Sequence, residues 1–428
     1  MTKAIASLLV EIFNKDSTNR TFGQCDVRIL TESCPTQVPR QCIRLGRVLS
    51  AQFFFGGVMS FYKSSTRKSC VARREKVAAM WKQTFSALLL FLGFIAQANA
   101  VCYVNGTATG ANNGSSWIDA YTNPQFALLD PAVCMEIWVA KGVYKPTLGT
   151  DPTVYFEINA GVTIYGGFAG NEVVRDARVP AVNVTVLSGD IGNDDANAGG
   201  NQVDATTSDI HGTNSYHVVF VQGASGTPVT GSTVLDGFTI TGGNASDLVT
   251  PIASGGGLYC NGSGSGNECS PTLRNLIFSG NAAARSGGGI YNNGDSGGVS
   301  SPILIDITFT GNRAVTSGGA IHDDANDGIS SPSLTNVFFG ANSASLGGAM
   351  YSLATGGGSN KALSSPTLTS VAFVGNSAEV GGAMYSGSLT GGVTNPKLSV
   401  VTFSGNSTPN DPTAFGGGMY NPSEGAGS

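Results

Sequence analysis

Histidine and closely spaced cysteines are nearly absent from this sequence. Its 428 residues include three histidines, His211, His217 and His322, and no two cysteines have the Cys-x2-Cys spacing. Structural zinc sites draw their ligands from such residues at such spacings, so a zinc site is not expected. No Walker motif and no Ser-His-Asp pattern is found either, which leaves nucleotide binding and serine-type catalysis without a sequence signature.

Basic residues are scarce after residue 100. Residues 101–428 contain nine Lys and Arg against 23 Asp and Glu, a net charge of −14. Residues 1–79 contain 13 Lys and Arg against five Asp and Glu, a net charge of +8. An acidic domain repels the phosphate backbone, so we expect no nucleic-acid partner.

The apolar run over residues 85–96 is too short to span a bilayer. Lys82 precedes this run, and Ala98-Asn99-Ala100 follows it as a small-x-small cleavage site. Residues 80–100 are therefore predicted to be a secretory signal peptide that is cleaved before Val101.

A signal peptide that begins at Met80 has an ordinary length. Residues 1–79 are accordingly interpreted as a mis-assigned upstream extension, the alternative being a long or disordered leader. Export also bears on the cysteines, because disulfides form outside the reducing cytoplasm.

The eight cysteines divide equally between the two parts of the chain. Four lie in residues 1–79, namely Cys25, Cys34, Cys42 and Cys70. The exported part contains an even number, which predicts two disulfides. Cys260 and Cys269 flank a glycine-rich loop and form the natural local pair, which leaves Cys102 to pair with Cys134.

Glycine, in contrast, is abundant. The chain contains 60 glycines, about twice the usual frequency, which excludes a helical solenoid. Many of them belong to a cassette of Ser-Pro, an apolar stretch ending in Phe, Gly-Asn or Ala-Asn, and Gly-Gly-(Gly/Ala)-apolar-aromatic. Five copies begin at Ser270, Ser301, Ser331, Ser365 and Asn395. Their asparagines are separated by 31, 30, 34 and 30 residues, so each copy is one unit that must stack on its neighbours.

The apolar positions change phase within each cassette. Leu stands two places after Pro, whereas the next apolar pair stands five and seven places after it. Since strands alternate with period 2, a bend is required between them. The bends are predicted at Asn275, Asp306, Asn336, Ser370 and Val400. A second bend is predicted at the Gly-Asn pair, because Gly and Asn enter the left-handed region at little cost.

Three short strands per unit, the third carrying the Gly-Gly motif, predict a parallel β-helix whose coils stack about 4.8 Å apart. Equivalent residues then lie on one another. We expect a column of stacked rings at Phe278, Phe309, Phe339, Phe373 and Phe403. We expect a ladder of amides at Asn281, Asn312, Asn342, Asn376 and Asn406.

Residues 101–428 are predicted to form one elongated, monomeric all-β domain, with an N-terminal cap over 101–150 and regular repeats over 255–420. Residues 123–129 are expected to form a short capping helix. Further strands are predicted over residues 136–140, 154–158, 162–165, 184–187, 217–221 and 234–240.

The motifs F-x-G-N and GGA-(I/M)-Y resemble the FxxN and GGA(I/L/V) repeats of the chlamydial polymorphic outer membrane proteins. The segments EIWVAKGVYKPT at Glu136, GVTIYGGFAG at Gly161 and VLDGFTITGGNA at Val234 resemble a wider bacterial family. That family consists of secreted right-handed β-helix proteins with a variable C-terminal anchor. The resemblance implies a secreted or outer-membrane surface protein of a bacterium, often an adhesin. This chain departs from it in having no C-terminal translocator barrel or anchor, so the C-terminus is interpreted as truncated and membrane attachment would require the missing anchor.

Two acidic clusters are candidates for chemistry. Asp190, Asp194 and Asp195 could supply oxygen ligands to Ca²⁺, although a solvated loop explains them as well because they depart from the D-x-D-x-D-G pattern. His322 with Asp323, Asp324 and Asp327, and Arg313 upstream, could support Ca²⁺ binding or glycosidic acid-base chemistry. In register, however, Asp323 and Asp324 are expected to be surface members of a polar row.

An aromatic row recurs at the end of the Gly-Gly motif. Its members are Tyr259, Tyr291, His322, Tyr351, Tyr385 and Tyr420. The row is either an exposed strip for binding glycans or proteins or a half-buried structural stack, and the sequence does not decide between them.

The favoured function is adhesin-like binding of a host-surface or matrix protein or glycan, without catalysis. The alternative is a secreted polysaccharide lyase or glycoside hydrolase, since pectate lyases and polygalacturonases have β-helix folds without sharing these motifs. No residue is assigned a catalytic, cofactor-binding or metal-binding role, and no cofactor is expected. A purely structural spacer is a third possibility.

Overall fold

The computed structural model describes residues 101–196, 202–247, 253–357, 362–409 and 415–422, and four short strands before residue 65. The chain divides into two compact units, Met1–Gln97 and Ala98–Ser428. In the first unit β1 (Asp26–Val27) pairs antiparallel with β2 (Ile43–Arg44), and β3 (Val48–Phe54) with β4 (Val58–Ser64). No strand was predicted there. The predicted signal peptide at residues 80–100 and the four cysteines before it lie outside the described residues.

The second unit begins with β5 (Val101–Val104) and the one α-helix among its described residues, α1 (Pro124–Leu128). Asn123 caps this helix by accepting a hydrogen bond from the Gln125 backbone N–H at 2.9 Å, and proline occupies its first turn. The buried face of α1 packs against β5 and against β8 (Phe156–Ile158). These strands lie at the ends of two sheets, so the predicted capping helix is confirmed.

Less regular strands follow, and those that were predicted agree with the prediction to within two residues at most boundaries, whereas the strands at Gly142–Tyr144 and Asn244–Ala245 were not predicted. They are β6 (Glu136–Ala140), β7 (Gly142–Tyr144), β8, β9 (Thr163–Phe168), β10 (Thr185–Ser188), β11 (Val219–Gln222), β12 (Val234–Asp236), β13 (Thr239–Thr241) and β14 (Asn244–Ala245). A short 3-10 helix spans Arg175–Ala177. The single strand predicted over residues 234–240 is wrong, because Gly237 has φ +87° and divides it into β12 and β13.

The regular repeats contribute the remaining strands. They are β15 (Leu258–Asn261), β16 (Thr272–Ser279), β17 (Ala282–Ala283), β18 (Ile290–Asn293), β19 (Ile303–Thr310), β20 (Arg313–Ala314), β21 (Ile321–Asn326), β22 (Ser333–Gly340), β23 (Met350–Thr355), β24 (Thr367–Val374), β25 (Met384–Leu389), β26 (Lys397–Ser404) and β27 (Met419–Tyr420).

These strands form three parallel sheets. Sheet 1 has 12 strands along the path β26-β24-β22-β19-β16-β12-β9-β6-β5, with β7, β10 and β13 attached. Sheet 2 has eight strands in the order β27-β25-β23-β21-β18-β15-β11-β8, and sheet 3 is β14-β17-β20. Parallel bridges from Arg313 to Ser343, from Ser343 to Ser377 and from Ser377 to Ser407 continue sheet 3 through later coils. Each coil contributes a strand or bridge to sheet 1, then to sheet 3 and then to sheet 2, which is the arrangement of a parallel β-helix.

The bends predicted from the phase change are confirmed. All five predicted bend residues have positive φ values between +50° and +57° and so lie in the left-handed region. The predicted strand boundaries are wrong in one respect, because the two strands on either side of each bend form one bent eight-residue strand such as β16. The Gly-Gly pair is a turn, and the short strand after Gly-Asn, such as β17, was not predicted.

Both predicted columns are present. The phenylalanine rings from Phe278 to Phe403 stack with centroid separations between 4.7 and 5.0 Å. The asparagine amides from Asn281 to Asn406 bond from coil to coil at 2.9 to 3.0 Å. Each Nδ2 in the ladder also donates to a backbone carbonyl, as Asn342 does to Phe309 at 3.1 Å. The amides of this ladder are thus fully used by the structure.

The two predicted disulfides are confirmed by the geometry of the cysteines. Cys260 and Cys269 have sulfurs 2.01 Å apart, and Cys102 and Cys134 have sulfurs 1.96 Å apart. The second bond joins β5 to the loop after α1, so it fastens the cap to the first strand.

Candidate functional site

The residues around His322 are divided between the inside and the outside of the β-helix and between two of its sheets. In β21 successive side chains point to opposite faces, so Asp323 lies inside the β-helix, fully buried, while Asp324 is half-buried on the outside. Asp327 follows the strand and accepts from the Gly357 N–H, and Arg313 is exposed on sheet 3. The prediction that Asp323 is a surface residue is therefore wrong.

Asp323 is enclosed by polar neighbours from the adjacent coils. Asn292 Nδ2 donates to its Oδ1 at 2.8 Å, and Ser352 Oγ donates to its Oδ2 at 2.8 Å. Burial raises the pKa of Asp323 to about 7 even though these two bonds favour the ionised form. A carboxyl in this position has no access to an external polymer.

The aromatic row is buried from Tyr259 to Tyr351. Tyr259 is 3% exposed, and Tyr291, His322 and Tyr351 are each 7% exposed. Neighbouring rings lie 4.7 to 5.5 Å apart, centroid to centroid. The alternative left open by the sequence is thus decided in favour of structural stacking from Tyr259 to Tyr351.

Sequence reasoning missed two members of this row, Phe220 and Tyr155. Their rings stack at 4.8 Å from each other, and Phe220 stacks on Tyr259 at 5.2 Å. Both precede the glycine cassette, so the motif did not reveal them. His322 takes the place of a tyrosine, and burial lowers its pKa to about 4, which keeps the ring neutral near pH 7.

A groove of about 460 Å³ runs along sheet 3 in the later coils. Its wall carries Ser343, Ser377 and Ser407 from successive coils, with Arg313 and Glu379 beside them. Ser377 and Ser407 are exposed, and buried Ala314 and Ala378 lie beneath. The groove therefore presents hydroxyl groups at the spacing of the coils. No sequence motif pointed to it, because the short strands of sheet 3 were not predicted.

The structure brings the other predicted cluster together. Oxygens of Asp190, Asp194 and Asp195 all lie within 4.8 Å of one another. Asp204, which sequence reasoning missed, is buried and hydrogen bonded to Asp195. Burial and then the charge of Asp195 raise the pKa of Asp204 to about 8. Nothing in the spacing signalled Asp204, because the chain returns to Asp195 only in the folded state.

The fold and these surfaces define a parallel β-helix repeat protein with an open groove on its narrowest sheet. A family model described as the Chlamydia polymorphic membrane protein repeat matches residues 275–293 and 306–323. Each matched segment runs from a bend residue through Phe-x-Gly-Asn to the strand after the Gly-Gly turn. The chain therefore carries repeats of the polymorphic outer membrane protein type.

Searches of curated proteins and of solved structures found no match. Within the described residues, none of the helices has the length and apolar character needed to cross a bilayer.

Proposed function

We propose that this protein acts at the bacterial cell surface and binds a host or matrix glycan, or a glycan-bearing protein, through the groove on sheet 3, without catalysis. The repeat type supports a location at the cell envelope, because polymorphic membrane proteins are a family of outer-membrane surface proteins. The row of serine hydroxyls along the groove, with Ser377 and Ser407 exposed, supports the binding of a glycan.

The groove suits an extended polar polymer for two reasons. Its hydroxyls from Ser343, Ser377 and Ser407 recur once per coil. Equivalent hydrogen-bond donors and acceptors therefore lie in a line, with successive coils about 4.8 Å apart. Ala314, Ala344 and Ala378 also line it, and their small side chains leave the groove open to a ligand. Arg313 and Glu379 place one charge of each sign at its edges, which suits a largely neutral ligand.

Filling the groove tests this proposal. Ser377→Trp places a large ring at an exposed position, and we expect binding of the purified protein to immobilised glycans and to host cells to fall at least tenfold. Thr369→Trp is the matched control, because Thr369 is exposed in the same coil on sheet 1. Equal binding by the two variants would place the binding surface elsewhere.

The lyase or hydrolase alternative makes a different prediction. Incubation with acidic polysaccharides and Ca²⁺ would release shortened chains, whereas the binding proposal expects intact polymer. Product formation by the unmodified protein would contradict the non-catalytic proposal. Absence of both binding and cleavage in the folded protein would favour a spacer.

A further inference from the structure

We propose that Asp190, Asp194, Asp195, Asp204 and Asn214 form a Ca²⁺ site in the loops that follow β10. The proposal is independent of the proposed function, because these loops are distant in sequence from the repeats that form the groove.

The spacing of three carboxylates suits a single ion. Ligand oxygens lie 2.3 to 2.6 Å from Ca²⁺, so two oxygens on one ion are separated by at most about 5 Å. Asp190, Asp194 and Asp195 offer one oxygen each within 4.8 Å of the others. All three can therefore contact the same ion without a change of backbone.

The fourth carboxylate and the amide approach from other loops. Asn214 Nδ2 donates to Asp195 Oδ2 and to the Gly242 carbonyl, both at 2.7 Å. A Cβ at Gly242 would lie 2.8 Å from Asp204 Oδ2 and 3.1 Å from Asp195 Oδ2. A glycine is needed at that position, since its φ is +66° and its bare backbone admits both carboxylates.

Asn214 supplies the observation that points to a ligand. Its side chain is 4% exposed, and its Oδ1 has no hydrogen-bond partner among the described residues. The two bonds from Nδ2 fix the amide that bears this unpartnered oxygen in direct contact with Asp195. A buried acceptor without a partner is destabilising, and a coordinated cation would satisfy it.

The donor chemistry selects the ion. Every candidate ligand is an oxygen, which favours hard cations over zinc or copper. The donors come from several loops in an irregular arrangement, which the flexible coordination of Ca²⁺ accepts more readily than the octahedral demand of Mg²⁺. Lys145 Nζ lies 3.1 Å from Asp190 Oδ2 and 2.6 Å from Asn193 Oδ1, so it competes with a cation for Asp190.

The test is calorimetric titration of the purified, chelator-treated chain with CaCl2, followed by thermal unfolding with and without CaCl2. We expect one binding event per chain, with a dissociation constant of ~0.1–1 mM, the range of extracellular calcium modules, and a higher unfolding temperature with Ca²⁺. Asp195→Asn and Asp204→Asn should each weaken binding by about tenfold or more.

Asp306→Asn is the matched control, because it removes one carboxylate at a bend where asparagine stands in neighbouring coils. It should bind Ca²⁺ as the unmodified chain does. Lys145→Gln should tighten binding several-fold, a gain that loss of structure does not produce. This variant also carries the test if an aspartate variant fails to fold by circular dichroism.

Three results would overturn the site. The first is the absence of both binding heat and a shift in unfolding temperature when CaCl2 is added. The second is an unchanged Ca²⁺ affinity in folded Asp195→Asn and Asp204→Asn, and the third is weaker Ca²⁺ binding by Lys145→Gln than by the unmodified chain. Tighter binding of MgCl2 than of CaCl2 would overturn the choice of ion.

Discussion

Asp323 shows how one residue's role depends on which side of a strand it occupies. Its neighbours in register are Asn292 on β18 and Ser352 on β23, and all three are fully buried. A signal was available in the sequence, since the position follows an interior Ile or Met by two residues and carries a small serine in later coils. The polar residues Asn292, Asn293, Asp323 and Asp324 at equivalent positions instead favoured the prediction of a surface row.

The raised pKa of Asp323 predicts that part of the stability is lost as pH rises. In the unfolded chain its pKa is about 3.9, so between about pH 4 and pH 7 the unfolded state ionises while the folded state keeps its proton. Stability therefore falls with rising pH across this window, by an amount on the order of 4 kcal/mol, and is level above it.

Asp323→Asn should remove this slope, because an amide does not ionise and can bond to Asn292 and Ser352. The measurement is the urea midpoint of both proteins from pH 4 to 8, taken as the difference between them. That difference isolates Asp323 from His322 and His217, whose lowered pKa values act in the opposite direction, with stability lost as pH falls below about 6.5. Parallel curves for the two proteins would show that Asp323 does not titrate as stated.

At the scale of the element, each long strand of sheet 1 is bent by one residue with positive φ. Asparagine, aspartate and serine fill this position in four coils, but the fifth has Val400, with φ +55°. A β-branched side chain in the left-handed region is strained. The phase of the apolar residues predicted the bends because a period-2 strand with both faces specified permits no other solution.

Val400→Asn should stabilise the protein by about 1 kcal/mol, since Val400 is 78% exposed and its side chain contributes little packing. The urea midpoint measures the gain. Ser370→Val, at the equivalent exposed position of the preceding coil, should cost a similar amount. A loss of stability in Val400→Asn would show that the valine packs in a way that outweighs the strain.

Sheet 3 is the element that sequence reasoning missed. Its strands are two residues long, as in β17 and β20, and later coils contribute only single bridges. Two residues are too few to show a periodicity, so no pattern could predict them. The groove proposed as the binding surface depends on this sheet, and it was missed for the same reason.

At the scale of the whole molecule, the asparagine ladder links each coil to the next by hydrogen bonds between buried side chains. Asn342 donates to Asn376 Oδ1 and to the Phe309 carbonyl, and it accepts from Asn312. In a solenoid each unit contacts only its neighbours, so a destabilising substitution weakens mainly its own coil and the two adjacent coils.

Asn342→Ala should destabilise the protein by about 3 kcal/mol, because it leaves buried groups of two coils without partners. Hydrogen exchange should accelerate most in β19, β22 and β24 and least in β6. Asn326→Ala, at an exposed asparagine on β21, is the control and should change little. Uniform acceleration across residues 101–422 would indicate one cooperative unit instead.

The sequence alone determined the repeat, the bends, the phenylalanine and asparagine columns and the cysteine pairs. The columns follow from the repeat, because stacking at a nearly constant period places equivalent residues on one another. The cysteine pairs follow from the closeness of Cys260 and Cys269 in the sequence, which leaves Cys102 and Cys134. Only the tertiary structure decided that the aromatic row is buried, that Asp323 faces inward and that Asp204 and Asn214 join Asp195. Burial of the row and of Asp323 depends on how the strands of sheet 2 pack against the core, which the period of the repeat does not specify. The contacts of Asp204 and Asn214 with Asp195 join loops outside the repeat, where no period relates the residues.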